Sequence, residues 1–373
     1  MVDFYAIYFP QFYVTDENSK WWGKDFTDWD LVKKAEPLFP NHYQPRSPLL
    51  GHVDQSLEET IVKQVKLAKE HGIDGFNFYH YWFNGVPYLD VPLKNFINSK
   101  INNFDFFLTW ANESWTRQWV GKPNEYLIKQ KYYNNNFEIE QHYNYLSSFF
   151  RDSRYKKINN KPVYCIYRPE LIPNLNSVLE HLNKLAINDG FLGIYFVAFR
   201  SYDIPYQELL YASFDAILNF NPRYCINKNL KNRSKSYLDK YLRLLPEKMQ
   251  SNLALVKSKF QKETVYDYRE YVESLKNTEI YFGSLPIYES VFPDWDNTAR
   301  YSNRATFFNN VSNDLFLESL KIAINKQSKF KEKMLFINAW NEWSESAYIE
   351  PDNKFGYEKI KIIKNIKNDI LNN

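Results

Sequence analysis

Cysteine is nearly missing from this chain: Cys165 and Cys225 are the only two in 373 residues. Two cysteines so far apart build neither a disulfide framework nor a thiolate metal cluster. Their scarcity predicts a reducing compartment. No uninterrupted apolar run of about 18 residues, the length a membrane-spanning helix needs, is found. The opening "MVDFYAIYFPQF" lacks a basic patch, apolar stretch and small-residue cleavage site in succession, so no secretory leader is expected and a cytoplasmic location is. A formal net charge of +3 is too small to point to nucleic acid or a strongly anionic partner. No Gly-x-Gly-x-x-Gly or P-loop sequence follows an apolar run. Serine and cysteine nucleophile chemistry lacks support, because no Gly-x-Ser-x-Gly elbow or reactive-cysteine signature occurs. No His/Cys cluster suits a metal, and neither a metal nor an organic cofactor is expected.

What the chain has in quantity is aromatic surface. Aromatic residues make up 18%, with 10 Trp, 30 Tyr and 29 Phe. Tyr and Phe can stand in for Leu and Val in a core. Clustered Trp also offers flat apolar faces with a polar edge, which suit the C–H patches and hydroxyls of sugars.

Short apolar runs alternate with amphipathic stretches. Strands are predicted at residues 4–9, 75–82, 106–112, 163–169, 193–199, 216–222, 280–287 and 334–340. Most lack polar alternation, as expected of strands covered on both sides. Helices are predicted between them. The first opens at Ser56 as N-cap, with Glu59 at capping-box spacing, places Ile61, Val65 and Ala68 on one face, and stops at Gly72. The basic last helix carries Ile363, Ile366 and Ile370 on one side. Packing on the barrel is preferred for it over peripheral membrane contact. Eight strand–helix units predict a single α/β domain over 1–373, a (β/α)8 TIM barrel; an open doubly wound sheet is the alternative. The first loop, 10–55, is enlarged, and a helical insert is predicted at 223–277 between strands six and seven. From Arg223 to Arg243 the insert holds seven Lys/Arg against one acid, read as a solvated helical face rather than a phosphate or lipid contact.

Such a barrel places its site at the C-terminal ends of the strands. Polar and tryptophan residues collect there: Gln11, Trp21, Trp22, Asp28, His80, Trp82, Arg168, Asn219, Arg223 and Glu289 among them. The residues expected to bind substrate are Gln11, Trp22, His80, Trp82, Trp110, Asn112, Glu113, Trp115, Arg117, Trp295, Asp296, Arg300, Trp340, Asn341 and Trp343. His80 suits a base or donor to substrate, or equally a packed imidazole. Glu113 suits a sugar hydroxyl, or an ion pair with Arg117. Asp294 and Asp296 stand at the spacing of a metal–diphosphate pair, though capped turns use the same spacing.

Glu342 and Glu345, in "NAWNEWSESAYIEP", are the sharpest pair. An acid against apolar rings has its pKa raised and holds a proton; a better solvated one stays ionised. Paired carboxylates so divided are the usual means of breaking glycosidic bonds.

The stretches "AIYFPQF", "WWGKDFTDWDLVKKAEPLFPNHYQPRSPLLG", "GFNFYHYWFNG", "TWANESWTRQW", "PDWDNTAR" and "NAWNEWSESAYIEP" run in order along nearly the whole chain. Together they resemble the WbsX-type proteins of bacterial surface-polysaccharide gene clusters, often labelled glycosyltransferases. These are related to the (β/α)8 endo-α-mannosidase-like enzymes of glycoside hydrolase family 99. The resemblance implies that Glu342 acts as base on a sugar 2-hydroxyl, which attacks its own anomeric carbon to give a 1,2-anhydro intermediate. Glu345 would protonate the leaving oxygen and then deprotonate the acceptor, with retention. Where this chain has Ser344 and Ser346, the WbsX-type motif usually reads Ala and Gly. The expected function is glycosyl transfer in surface-polysaccharide assembly, on an oligosaccharide or lipid-linked glycan, with a nucleotide-sugar donor as one option. The alternatives are a retaining endo-glycosidase and a non-catalytic glycan-binding protein.

Overall fold

The apolar runs become a closed barrel. Its strands are β1 (Asp3–Tyr8), β2 (Gly75–Phe83), β3 (Asp105–Trp110), β4 (Lys161–Ile166), β5 (Tyr195–Arg200), β6 (Ala216–Asn219), β7 (Leu285–Val291) and β8 (Met334–Ile337). Each pairs in parallel with its neighbour in the chain, and Asp3 of β1 stands opposite Met334 of β8, which closes the ring. A barrel helix follows each strand, with shorter helices in the loops: α1 (Glu58–Glu70), α2 (Val91–Asn98), α3 (Asn136–Phe150), α4 (Leu175–Asn188), α5 (Gln207–Tyr211), α6 (Tyr268–Lys276), α7 (Asn313–Gln327) and α8 (Glu358–Asn372). This is the predicted (β/α)8 barrel. The computed structural model describes residues 1–202, 204, 206–230 and 263–372.

Barrel interiors are usually filled by branched aliphatic side chains. This one is filled by rings: Tyr5, Phe107, Phe199, Tyr288 and Phe336 lie within ring-contact distance of one another in a chain of pairs. Much of the aromatic content is therefore core. A second aromatic layer, including Phe76, Phe78 and Phe96, packs between strands and helices.

The helices follow their patterns with one exception, at the start of α1. In α1, Ile61, Val65 and Ala68 are buried together, and Gly72 ends the segment at φ +84°. Ser56 does not cap it. The N-cap is Leu57, without a side-chain bond, and Asp54 instead accepts the Ser56 N–H at 2.8 Å. The acid shapes the turn before the helix, and the capping box is not formed. The last helix packs on the barrel: Ile360, Ile363 and Ile366 are buried, and Lys367 donates to Asp74 at 2.5 Å. No helix among the described residues is long and apolar enough to cross a membrane.

Strand seven was predicted too early. Tyr281–Phe282 is a separate short strand, antiparallel to the start of β7, and Gly283 makes the turn at φ +58°. The barrel strand runs on to Val291, so Glu289 lies within it, buried and bonded to Asn219 and Thr278. The predicted insert 223–277 contains α6, a barrel helix, and a strand Thr264–Asp267 paired with Thr306–Asn309. Most of its basic stretch, and residues 231–262 generally, lie outside the described residues.

Strands β2 and β3 meet most tightly at Gly75. A Cβ there would stand 2.3 Å from the Asp105 carbonyl oxygen. Since that oxygen is backbone, Gly75→Ala is expected to cost about 1–3 kcal/mol of stability. Urea unfolding of the variant measures it, and an unchanged midpoint contradicts this packing.

Candidate active site

The "NEWSESAY" segment folds as a tight hairpin at the mouth of the barrel. Asn341 pairs with Tyr348 and Glu342 with Ala347, and Trp343–Glu345 forms one 3-10 turn between them. Residues three apart eclipse in a 3-10 turn, which brings Glu342 and Glu345 to one side. Ser346 closes the turn at φ +55°, a left-handed conformation in which glycine is unstrained. Three contacts pin the hairpin. Asn341 bonds both polar groups of Phe9, accepting at 2.8 Å and donating at 2.9 Å. Trp343 stacks on Tyr348 at 3.7 Å and donates to Glu350 at 2.7 Å. The Asp296 N–H donates to the Glu345 carbonyl at 2.8 Å.

Both acids face an open cleft of about 1120 Å³. Between them stands Arg300. It donates to Glu345 at 2.7 Å, to Asp28 at 3.1 Å and to Glu342 at 3.3 Å. Its guanidinium lies 4.9 Å from the Trp119 ring and 5.3 Å from the Phe9 ring. Arg223 reaches Glu345 at 3.9 Å. Ser344 donates to Asp28 at 3.0 Å. Burial pushes the Glu342 carboxyl well above its usual range; Arg300 opposes this, while Glu345 and Asp28 add to it. Burial likewise raises Asp28, again against Arg300. Burial works against the charge on Arg300, yet the three carboxylates hold its pKa above the ordinary value.

The walls are aromatic. Trp21, Trp22, Trp115 and Trp119 line one side, with Tyr79, Tyr81, Tyr167 and Tyr301 also facing the space. Trp22 and Trp119 stack at 5.4 Å. Gln11 lines the cleft beside Tyr81, and Glu113 lines it while paired with Arg168 rather than Arg117. Arg117 pairs with Glu125 at 2.7 Å and covers Trp22.

The cleft thus brings together Gln11, Trp22, Glu113, Trp115, Arg300, Glu342 and Glu345 from the predicted set. The others lie elsewhere. His80, Trp82 and Trp110 point outward to α3, where His80 meets His142 at 2.8 Å and Trp82 stacks on it at 4.6 Å. Burial holds the His80 imidazole down to about 3, so it stays neutral. Asn112 is buried and exchanges bonds with the backbone of Arg168. Trp340, Asn341 and Trp343 are buried behind the hairpin. Trp295 is buried beneath Arg223.

Asp294 and Asp296 do not form an open metal pair. Asp294 binds Arg46 at 2.8 Å. Asp296 accepts from His42 at 2.8 Å, from Gln44 at 2.6 Å and from the Thr298 N–H at 2.9 Å. Burial works to raise Asp296, but these bonds and Arg46 outweigh it and lower its pKa. Its role is to hold the short helix carrying Arg300 and the turn carrying Glu345.

Tyr79, Tyr81, Tyr167, Tyr301 and Trp119 were missed. Strand parity would have found the first two, since residues two apart share a face.

A family description, glycosyltransferase WbsX, matches residues 4–363. Two proteins named WxcX, from strains B100 and ATCC 33913 of Xanthomonas campestris pv. campestris, are 29% identical over 357 residues. The match covers 94% of this chain but 48% of each relative, so the chain spans about half their length. In fold the chain is similar to a glycoside hydrolase-like protein, with TM-score 0.57 and 13% identity, over 98% of this chain and 93% of that one. It is also similar to a family-99 endo-α-mannosidase from Bacteroides thetaiotaomicron, with TM-score 0.57 and 11% identity, over 100% and 98%.

The raised Glu342 pKa has a testable sign. A carboxyl that holds its proton longer when folded than at its unfolded value near 4.5 makes stability fall as pH rises through that window. Glu342→Gln removes the penalty. The variant is therefore expected to melt above wild type at pH 8 and near it at pH 4. Thermal melts across that range check this; a gap that is constant or reversed contradicts it.

Proposed function

The chain belongs to the WbsX glycosyltransferase family, and on that premise we propose a carbohydrate-active enzyme that transfers a glycosyl group at an anomeric carbon. The observation that carries this reading is the pair Glu342 and Glu345, on one face of one turn, in a tryptophan-walled cleft. Sugar rings stack on the tryptophans, and the acids work at the floor.

In the proposed reaction, ionised Glu342 takes the proton of the sugar 2-hydroxyl. The oxygen attacks C1, the bond from C1 to the leaving oxygen breaks, and Glu345 gives that oxygen its proton. The acceptor hydroxyl then attacks C1 as Glu345 takes its proton, the C1–O2 bond of the anhydro ring breaks, and Glu342 returns a proton to O2. Two inversions give retention. A raised pKa suits Glu342, because a carboxylate with proton affinity nearer neutrality is the stronger base toward a hydroxyl. Arg300 donates to Glu345 at 2.7 Å and to Glu342 at 3.3 Å, so it stands between the two acids.

The acceptor in this reading is another glycan, free or lipid-linked, within surface-polysaccharide assembly. The fold shared with an endo-α-mannosidase favours water as the second possibility. Product analysis in 18O-labelled water separates the two: label at the anomeric oxygen marks hydrolysis, and an extended, unlabelled glycan marks transfer.

Glu345→Gln is expected to lower turnover by about 10²- to 10⁴-fold, while glycan affinity stays close to wild type. Chromatographic assay and calorimetry measure the two; full turnover in the variant removes Glu345 from the mechanism.

A further inference from the structure

Two cations line the cleft, Arg300 and Arg223, and their surroundings differ. Arg300 is bonded to Asp28, Glu342 and Glu345. Arg223 has no carboxylate at hydrogen-bond length among the described residues; Glu345, at 3.9 Å, is the one it approaches. Glu113, the third acid of the lining, is taken by Arg168. The Arg223 side chain is 38% exposed, so it meets the space of the cleft rather than the core. An arginine keeps its charge at every working pH and offers five N–H donors in a planar fork.

The backbone that presents this fork is fixed. Arg223 follows the end of β6. Asn221 donates its N–H to the Ser290 hydroxyl at 2.7 Å and its side-chain N–H to the Ser290 carbonyl at 2.9 Å. Asn338, just past β8, donates to the Asn221 carbonyl at 2.9 Å. The Tyr224 N–H donates to the Phe220 carbonyl at 2.8 Å. The ends of β6, β7 and β8 are thereby tied together under the arginine, and the Trp295 ring lies 5.9 Å from its guanidinium. A group held on a rigid frame suits ligand recognition.

The guanidinium fork matches a carboxylate through two parallel N–H···O bonds. A phosphate dianion matches less well. One cation would face two charges, with Glu345 near enough to repel the second. In the reaction proposed above, Glu345 serves the leaving and accepting oxygens. Arg223 beside it therefore faces the sugar across the bond that is broken or made. We propose that Arg223 binds the carboxylate of an acidic sugar, a hexuronic acid residue, on that side of the bond. The side of the bond rests on the glycosyl-transfer reading; recognition of the carboxylate rests on Arg223 itself.

Methyl glucuronide and methyl galacturonide, each paired with its neutral methyl hexoside, test this. The members of a pair differ only in carboxylate against hydroxymethyl. In calorimetric titration of the full chain, at least one uronide is expected to bind roughly tenfold or more tightly than its hexoside, the worth of a hydrogen bond to a charged group. Arg223→Gln should erase that preference. Arg223→Lys, which keeps the charge without the fork, should retain part of it. The preference is a ratio within one variant, so a general disturbance of the cleft does not imitate its loss. The inference is overturned if neither uronide outbinds its hexoside, if the preference survives Arg223→Gln, or if the matching hexose 6-phosphate binds more tightly than the uronide. These affinities do not depend on turnover, so failure here leaves the glycosyl-transfer reading to its own test with Glu345→Gln.

Discussion

One guanidinium shared by three carboxylates organises this site. Arg300 touches Asp28, Glu342 and Glu345, and all four side chains are buried. Ion clusters of this kind are poor stabilisers, because desolvation consumes most of their attraction. They persist where a reaction needs charges close together and poorly hydrated. The surrounding structure holds the cluster in place. Asp296 fixes both the helix bearing Arg300 and the turn bearing Glu345, and Ser344 fixes Asp28.

Behind the acids lies a second polar layer that never meets the cleft. Tyr8 donates to Gln64, Gln64 to Glu350, and Trp343 to the other oxygen of Glu350. Burial lifts the Glu350 carboxyl to about 7, and the two donors limit the rise. The motif's other residues are thus spent on rigidity. Asn341 joins the end of β8 to the end of β1, and Trp343 braces the hairpin. The two serines that depart from the family pattern differ in effect: Ser344 adds a hydrogen bond to the ion cluster, and Ser346 accepts left-handed strain that glycine would avoid.

The barrel was legible because buried strands and amphipathic helices alternate eight times, despite the long first loop and the insert after strand six. The acid pair was legible because it directly follows an apolar run. Three things were not. Ile280 to Ile287 reads as one apolar stretch, yet Gly283 folds it back, and a single glycine does not announce its φ. Asp54 competes with Ser56 for the start of α1, and only backbone geometry decides between them. Tryptophans near the acids look like sugar platforms, but Trp340 and Trp343 turn inward while Trp119, far earlier in the chain, turns to the cleft. Outside a regular strand, nearness in sequence to the acids does not fix which way a side chain faces.

The alternation in β2 has a broader consequence. Tyr79 and Tyr81 face the cleft, whereas His80 and Trp82 belong to the outer cluster with His142. One short segment therefore carries two separate texts, read from opposite sides. A substitution at Tyr79 or Tyr81 alters the wall of the cleft, whereas one at His80 or Trp82 alters the packing against α3. The lining of the cleft and the packing of the outer layer can therefore change along one strand by separate substitutions.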